Sequence, residues 1–344
     1  MSTSTRPKAL PLGDHRLHQV LQSVLRNQIS QIALILAMML LVFSLLRPAS
    51  FLTVDNIRSI AVNVSILSIL GVGTTFVIIT GGIDLSIGSV LVFSGVVAAK
   101  SMEACGGQGL IVSLLGLAVA VASGLCWGLV NGALVAKWRV PPLIVTLGTL
   151  GMALGGAQIL TNGVDIRSAP DILVDYIGYG RLFGQIPILV AIATLVAAIG
   201  AFYLHGLRFG RYTYAVGSSA EACRRAGINV DRHLIKVYAI SGGLAGLAGL
   251  LNLAFFQTTT ISGHAGDALV VIAGVVIGGT SLFGGAGLIA GTIIGLFIPA
   301  VLQSGFIIVG IQPFWQEIVV GAVLIIAVYV DQINRARSRG GIRS

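Results

Sequence analysis

Charge is what this sequence has least of. Asp, Glu, Lys and Arg make up 10% of its 344 residues, and only 12 side chains are acidic. A soluble domain carries about 25% charged residues, so a water-facing surface cannot be built from this chain. Cysteine is also scarce: Cys105, Cys126 and Cys223 lie far apart, which excludes a zinc framework and gives no expectation of a structural disulfide. The phosphate-loop pattern G-x-x-x-x-G-K-[ST] is absent, as is H-E-x-x-H. The chain is therefore not a phosphate-loop ATPase or a zincin, and it offers no catalytic residue and no metal ligand set. The glycine-rich stretches Gly278-Gly279 and Gly284-Gly285-Ala286-Gly287 lack the lysine and strand context of a nucleotide loop; they read as helix breaks or close-packing points.

What is present is apolar. Hydrophobic residues form 56% of the chain and mean hydropathy is +0.97. The 46 glycines suit helices that approach closely in a membrane. Runs long enough to cross a bilayer, about 20 residues each, occur about ten times: Gln31–Leu46, Ile57–Ile79, Leu85–Ala99, Leu110–Ala136, Leu143–Leu160, Ile186–Leu204, Ile235–Phe256, Ala268–Phe283, Leu288–Phe306 and Phe314–Val330. The third and eighth are short, so broken or tilted segments, with eight or nine true spans, are the alternative. The expected fold class is all-α, a polytopic transmembrane helical bundle.

The excess of nine positive charges follows topology rather than a nucleic-acid partner. With a cytoplasmic N-terminus, the cytoplasmic connections hold Arg6, Lys8, Arg16, Arg26, Lys137, Arg139, Arg208, Arg211, Arg224, Arg225, Arg232, Lys236, Arg335, Arg337, Arg339 and Arg343. The outer ones hold only Arg47, Arg58, Lys100, Arg167 and Arg181. That is the asymmetry of the positive-inside rule, and it places both termini in the cytoplasm. The expected organisation is a cytoplasmic segment over residues 1–30, a membrane domain over 31–331 and a basic tail over 332–344. Residues 1–30 are polar and basic without an apolar core, unlike a secretory leader; Leu17–Leu25 is expected as a short surface helix.

The most charged internal segment, Gly206 to His233, reads as a cytoplasmic element with one short helix. Ser218 followed by Glu221 fits a capping box, Gly227 a helix stop, and Glu221 is spaced to face Arg224 and Arg225. A stiff, capped, charged helix between spans is what a soluble motor would need to push on. A solvated loop is the plainer reading. Glu221-Ala222-Cys223 with Gly227 four residues on resembles the Glu-Ala-Ala…Gly coupling motif of bacterial ABC importer permeases, with Cys in place of the second Ala and without the downstream Leu-Pro.

Longer stretches extend the resemblance. Thr80-Gly81-Gly82-Ile83-Asp84-Leu85-Ser86-Ile87-Gly88-Ser89, Val276-Ile277-Gly278-Gly279-Thr280-Ser281-Leu282-Phe283-Gly284-Gly285, Tyr214-Ala215-Val216-Gly217, Gly227-Ile228-Asn229-Val230 and Pro313-Phe314-Trp315-Gln316 are similar to the ribose-type permease family. That is the monosaccharide branch of the ABC permeases, which also include branched-chain amino-acid permeases. The resemblance covers about nine-tenths of the chain. One departure stands out: where the family often has Glu-Leu-Asp, this chain has Ala268-Leu269-Val270, with Asp267 one step earlier. If that acid touches substrate or receptor, specificity differs from that for ribose.

The resemblance implies a permease subunit of an ATP-driven importer for a monosaccharide or related polyol, multi-pass in the inner membrane. No cofactor is expected on this chain; ATP and Mg would be used by a partner ATPase with two nucleotide-binding domains. The other implied partners are an extracytoplasmic sugar-binding protein, a second permease copy or close paralogue, and membrane lipid. Coupling to the ATPase would fall to Ser218, Glu221, Ala222, Cys223, Arg224, Arg225 and Gly227.

The translocation path is sought among polar residues in or beside the spans: Asn63, Thr80, Asp84, Ser86, Gln158 and Asn162. Asp84 suits two compatible roles, capping the third span with Ser86 and lining a helix break that faces a cavity. Asn63, Thr74, Thr75, Gln158 and Asn162 also suit plain helix–helix hydrogen bonding, and Trp127, Trp138 and Trp315 suit interfacial anchoring. His264 and Asp267, on the outer side of the eighth span, suit a solvated loop, with contact to the binding protein as the alternative. The rival function is a secondary transporter or channel for a small polar solute, disfavoured by span interiors nearly free of charge.

Overall fold

The computed structural model describes residues 28–264, 266–312 and 314–340. The expected helix at Leu17–Leu25, the first four basic residues and Arg343 lie outside them. The helices are α1 (Gln28–Leu46), α2 (Pro48–Phe51), α3 (Val54–Ile79), α4 (Ile87–Ala104), α5 (Leu110–Ala136), α6 (Pro142–Thr161), α7 (Ile188–Gly206), α8 (Arg208–Ser218), α9 (Ala220–Arg225), α10 (Val230–Phe256), α11 (Asp267–Ile277), α12 (Ile289–Val309) and α13 (Phe314–Gly340). A π-helical turn at Leu173–Gly178 and a two-strand ribbon, Arg181–Leu182 with Ile186–Pro187, fold the α6–α7 connection.

Eight helices, α1, α3, α4, α5, α6, α7, α10 and α12, are long and apolar enough to cross a membrane. One of the ten expected spans differs in extent. The eighth ends at Ile277 rather than Phe283, because Gly278 to Leu288 leave helical geometry, with Gly279, Gly284 and Gly285 at positive φ. At 11 residues, α11 rises only about 16 Å, half of the hydrocarbon layer. α13 spans the tenth expected run and continues into the basic tail.

α10 and α3 form the centre. α3 is the most deeply buried span, with α10 and α4 next, whereas α1, α5, α6 and α7 leave rows of Leu, Ile and Met outward, as a lipid-facing belt requires. α10 packs most extensively on α5 and also on α3 and α4. Small residues make that closeness possible: a Cβ on Gly124, Gly128 or Gly132 of α5 would collide with α10 backbone.

Two breaks position the candidate site. After α3 the chain passes Gly81 at φ 80° and turns back. A Cβ on Gly73 of α3 would lie 2.8 Å from Ser241 Cα, and Asp84 Oδ2 reaches the same serine's hydroxyl. Asp84 has thus returned about six residues, roughly 9 Å, along α3. Ser241 stands 11 residues into α10 and 15 from its end, near mid-span. α4 therefore starts inside the bundle. After α10 the chain turns at Gln257 (φ 56°) and also folds inward, until the carbonyl of His264 packs on Gly88 in the first turn of α4. α11 starts there.

Candidate functional site

The first polar cluster is built on the α3–α4 break. Asp84 is 2% exposed. Its Oδ1 accepts from the backbone N–H of Ser86 at 3.0 Å and from Ser86 Oγ at 2.6 Å. Its Oδ2 accepts from Ser241 Oγ at 3.4 Å. Asn131 Nδ2 of α5 donates to Ser86 Oγ at 2.9 Å, and Thr146 Oγ1 of α6 donates to the carbonyl of Ile83 at 3.3 Å. No cationic side chain pairs with Asp84 among the described residues. A buried carboxylate without a countercharge is costly unless fully hydrogen-bonded. Here it is the tie that holds the re-entrant segment to α10. Ser86 occupies the N-cap position of α4 without a side-chain cap bond, so Asp84 tethers the cap residue instead of capping the helix itself. Asn131 Oδ1 and Tyr238 OH, close to this cluster, are buried without partners.

The second cluster lies across Gly88. His264 Nδ1 is 2.6 Å from Asp267 Oδ2, His264 Nε2 is 3.0 Å from Thr260 Oγ1, and Asn252 Nδ2 donates to Thr260 Oγ1 at 3.0 Å. His264 and Asp267 are not in a solvated loop: their side chains are only 11% and 22% exposed. Sequence reading missed this because the fold-back of 257–266 is set by tertiary contacts. The outer loop pins it, with Asp165 Oδ1 accepting from Ile261 N–H at 2.7 Å and Thr259 Oγ1 at 3.2 Å.

The other path residues are placed apart. Thr80 ends α3 and donates to the carbonyl of Val77 at 2.7 Å. Asn63 is exposed on α3; Gln158 is exposed near the end of α6, and Asn162 caps that helix in the left-handed region. Only Asp84 and Ser86 are joined in one network. Of the helix–helix candidates, Thr75 bonds across to Thr292 of α12 at 2.7 Å, while Thr74 bonds back to the carbonyl of Leu70. Trp127 packs edge-on against Phe93, with Trp138 and Trp315 exposed.

The charged segment 206–233 forms two helices, not one. Ser219, extended at φ −162°, separates α8 from α9, and it is Ser219, not Ser218, that caps α9 by accepting from Ala222 N–H at 3.2 Å. The capping-box spacing was thus off by one, since Ser218 is held in the last turn of α8. Glu221 pairs with Arg225 at 3.1 Å, while Arg224 turns to Asp231 at 3.3 Å. Gly227 closes α9 at φ 80°, with Ile228 N–H on the carbonyl of Cys223 and Gly227 N–H on that of Arg224, a Schellman-type end. Cys223 is buried with Val216 and Val230, so α9 sits on a small core of its own.

α8 joins this element to the breaks. A Cβ on Gly217 would strike the carbonyl of Ile79, whose oxygen accepts from Gly285 N–H at 2.8 Å. Tyr214 OH donates to the carbonyl of Gly287 at 2.7 Å; burial pushes its phenol up from the ordinary value, keeping it a donor. The α3–α4 break and the Gly284–Gly287 stretch therefore meet at the end of α8. Among the described residues, no three His, Cys, Asp or Glu side chains gather as a metal site.

Comparison with known proteins places these features. The sequence profile described as "Branched-chain amino acid transport system / permease component" matches residues 56–328. The ribose import permease protein of Escherichia coli (strain K12) is 39% identical over 311 residues, covering 89% of this chain and 94% of that one. The D-allose transport system permease protein of the same strain is 35% identical over 301 residues, 87% and 90% of the two chains. The fructose import permease protein of Rhizobium meliloti is 34% identical over 339 residues, 96% and 92%. No solved structure matches the chain.

Proposed function

Because the chain belongs to the branched-chain amino acid transport system / permease component family, we propose from that premise that its cargo is a monosaccharide or closely related polyol. It is a transport subunit of an ABC importer, not an enzyme, and a multi-pass inner-membrane protein. The observation that carries the sugar reading is the group of relatives named for ribose, allose and fructose, each 34–39% identical over most of both chains. Importers of this family work with an ATPase and a substrate-binding protein.

The finer assignments rest on geometry. The ATPase, with two nucleotide-binding domains, seats on α9 through Glu221, Ala222, Arg224 and Arg225, with Ser219 and Gly227 fixing the helix ends and Cys223 packing beneath. Ser218 ends α8 and transmits rather than touches. Motion of α9 reaches the α3–α4 break through Gly217, Ile79 and Gly285. The break at Asp84 and Ser86 is then the element that shifts between inward and outward states. Both termini are cytoplasmic, α11 and α13 complete the layer, a second permease copy or close paralogue completes the path, and lipid covers the apolar belt.

The test is reconstitution. The chain, its ATPase and its binding protein are placed in liposomes with ATP inside, and uptake of labelled ribose, allose, fructose and inositol is measured. Uptake that needs ATP and both partners supports the reading and names the cargo. Uptake without ATP or partners overturns it in favour of a secondary carrier or channel.

A further inference from the structure

We propose that Asn252, His264 and Asp267, held together through Thr260, form a subsite that binds hydroxyls of the transported sugar at mid-depth in the bundle. This rests on the sugar-importer reading and adds the residues that touch the cargo.

Three observations carry it. The first is position. The loop ending at His264 folds back from the end of α10 to the first turn of α4, where only a glycine, Gly88, leaves room for the His264 carbonyl. Irregular backbone at membrane depth is tolerated where it is buried in protein or lines a cavity. In this loop Ile261 and Ala268 are buried in protein while Ser262, Gly263 and Gly266 are exposed.

The second is polarity. In the neutral form of the imidazole, Asp267 accepts from His264 Nδ1–H, which leaves Nε2 as the acceptor for the Thr260 hydroxyl, which in turn accepts from Asn252. Every internal bond in the chain is thereby assigned a direction, with the imidazole held as one tautomer. The row is consequently rigid and presents a fixed pattern to a neighbour.

The third is what the row leaves unused. Among the described residues, Asn252 Oδ1 is buried with no partner, and so is Thr258 Oγ1 in the loop that follows. Asp267, its side chain 22% exposed, makes no hydrogen bond through Oδ1 among the described residues. Buried polar atoms are rarely left unpaired. Two of these three are pure acceptors, and one belongs to a carboxylate. A neutral ligand with several O–H donors satisfies them, whereas an anion meets the Asp267 charge. A site built to bond hydroxyls also discriminates strongly against analogues lacking them, as sugar selection requires.

The test uses the full permease assembled with its ATPase and binding protein. Diethyl pyrocarbonate modifies accessible imidazoles, and peptide mass spectrometry reads His264 against the exposed His205 with and without ribose, allose or fructose. The sugar that the complex takes up should slow modification of His264 by about ten-fold at saturation and leave His205 unchanged. In Asp267→Asn and Asn252→Leu, the sugar concentration giving half protection should rise about ten-fold or more, the loss expected for a hydrogen bond to a charged or buried group. Comparing each variant with and without sugar cancels any change in intrinsic reactivity. ATP-driven uptake with no protection of His264, or protection unchanged in both variants, overturns the subsite and leaves the importer intact. No ATP-dependent uptake of any sugar overturns both.

Discussion

Gly124 of α5 and Gly242 of α10 face each other so closely that a Cβ on either would strike the carbonyl oxygen of the other. The contact is reciprocal and lies between two backbones, so neither side can yield by rotating a side chain. Gly124→Leu should therefore cost more than the about 1–3 kcal/mol typical of overpacking. The expected outcome is loss of a monodisperse peak in detergent and a marked fall in the thermal midpoint. Gly148→Ala on α6 is the contrast: no atom lies within 4 Å of its added Cβ, and the helix should gain about 0.5–1 kcal/mol. Equal behaviour of the two would show that the α5–α10 approach does not hold the bundle.

Asp84 separates the cost of charge from the cost of lost acceptors. Asp84→Leu strands the Ser86 amide and the Ser86 and Ser241 hydroxyls, each worth about 1–3 kcal/mol when left unmade. Asp84→Asn keeps one acceptor oxygen and adds no charge to bury. Thermal unfolding should show the Leu variant destabilised by about 3 kcal/mol or more and the Asn variant by clearly less. Transport should follow the same order. Complete loss of transport in the Asn variant with its stability retained would assign the carboxylate a role in the cycle beyond tethering the break.

The corrected cap gives a one-residue prediction. Ser219→Ala removes the acceptor of the Ala222 amide and should weaken α9 by about 1 kcal/mol. Ser218→Ala removes a hydroxyl that caps nothing. Hydrogen exchange at Ala222 and Cys223 should accelerate about five-fold in the first variant and stay unchanged in the second.

The helical bundle was legible because membrane helices are written in long apolar runs, and α5, α7 and α12 begin and end within a few residues of where hydropathy sets them. The abundance of glycine likewise pointed to close helix packing, though not to Gly124, Gly128 and Gly132 of α5 in particular. The end of α11 was legible in part: Gly278-Gly279 read as a helix break or a close-packing point, and hydropathy, which continues to Phe283, does not choose between the two. The same limit hid the His264–Asp267 row. Local sequence places it in a loop after α10, whereas Asp165, 96 residues before Ile261, draws that loop inward. Asp84 was found because an acid between two glycines and a serine stands out in an apolar chain. Its partners, Asn131 and Ser241, gave no such signal, each being a single polar residue within a span.

The coupling assignment can be tested through the backbone and the surface of α9 separately. Gly227 adopts φ 80°, where a β-branched residue costs upwards of about 1–2 kcal/mol. Gly227→Val should thus unwind the end of α9 and release the bonds from Ile228 and Gly227 to Cys223 and Arg224. Glu221→Lys leaves that backbone alone; it replaces an exposed ion pair worth little to stability with repulsion from Arg225. If α9 is where the ATPase pushes, the two variants should fail alike, by different routes. Both should insert and fold in the membrane, because α9 packs only on its own small core with Val216 and Val230. Both should lose ATP-driven uptake, the first through a misshapen helix and the second through a reversed charge at the contact. Co-purification of the ATPase distinguishes docking from transmission. Lost binding places the defect at the contact, and retained binding with lost uptake places it between α9 and the Ile79–Gly285 junction. Undiminished uptake in both variants would remove α9 from the coupling path.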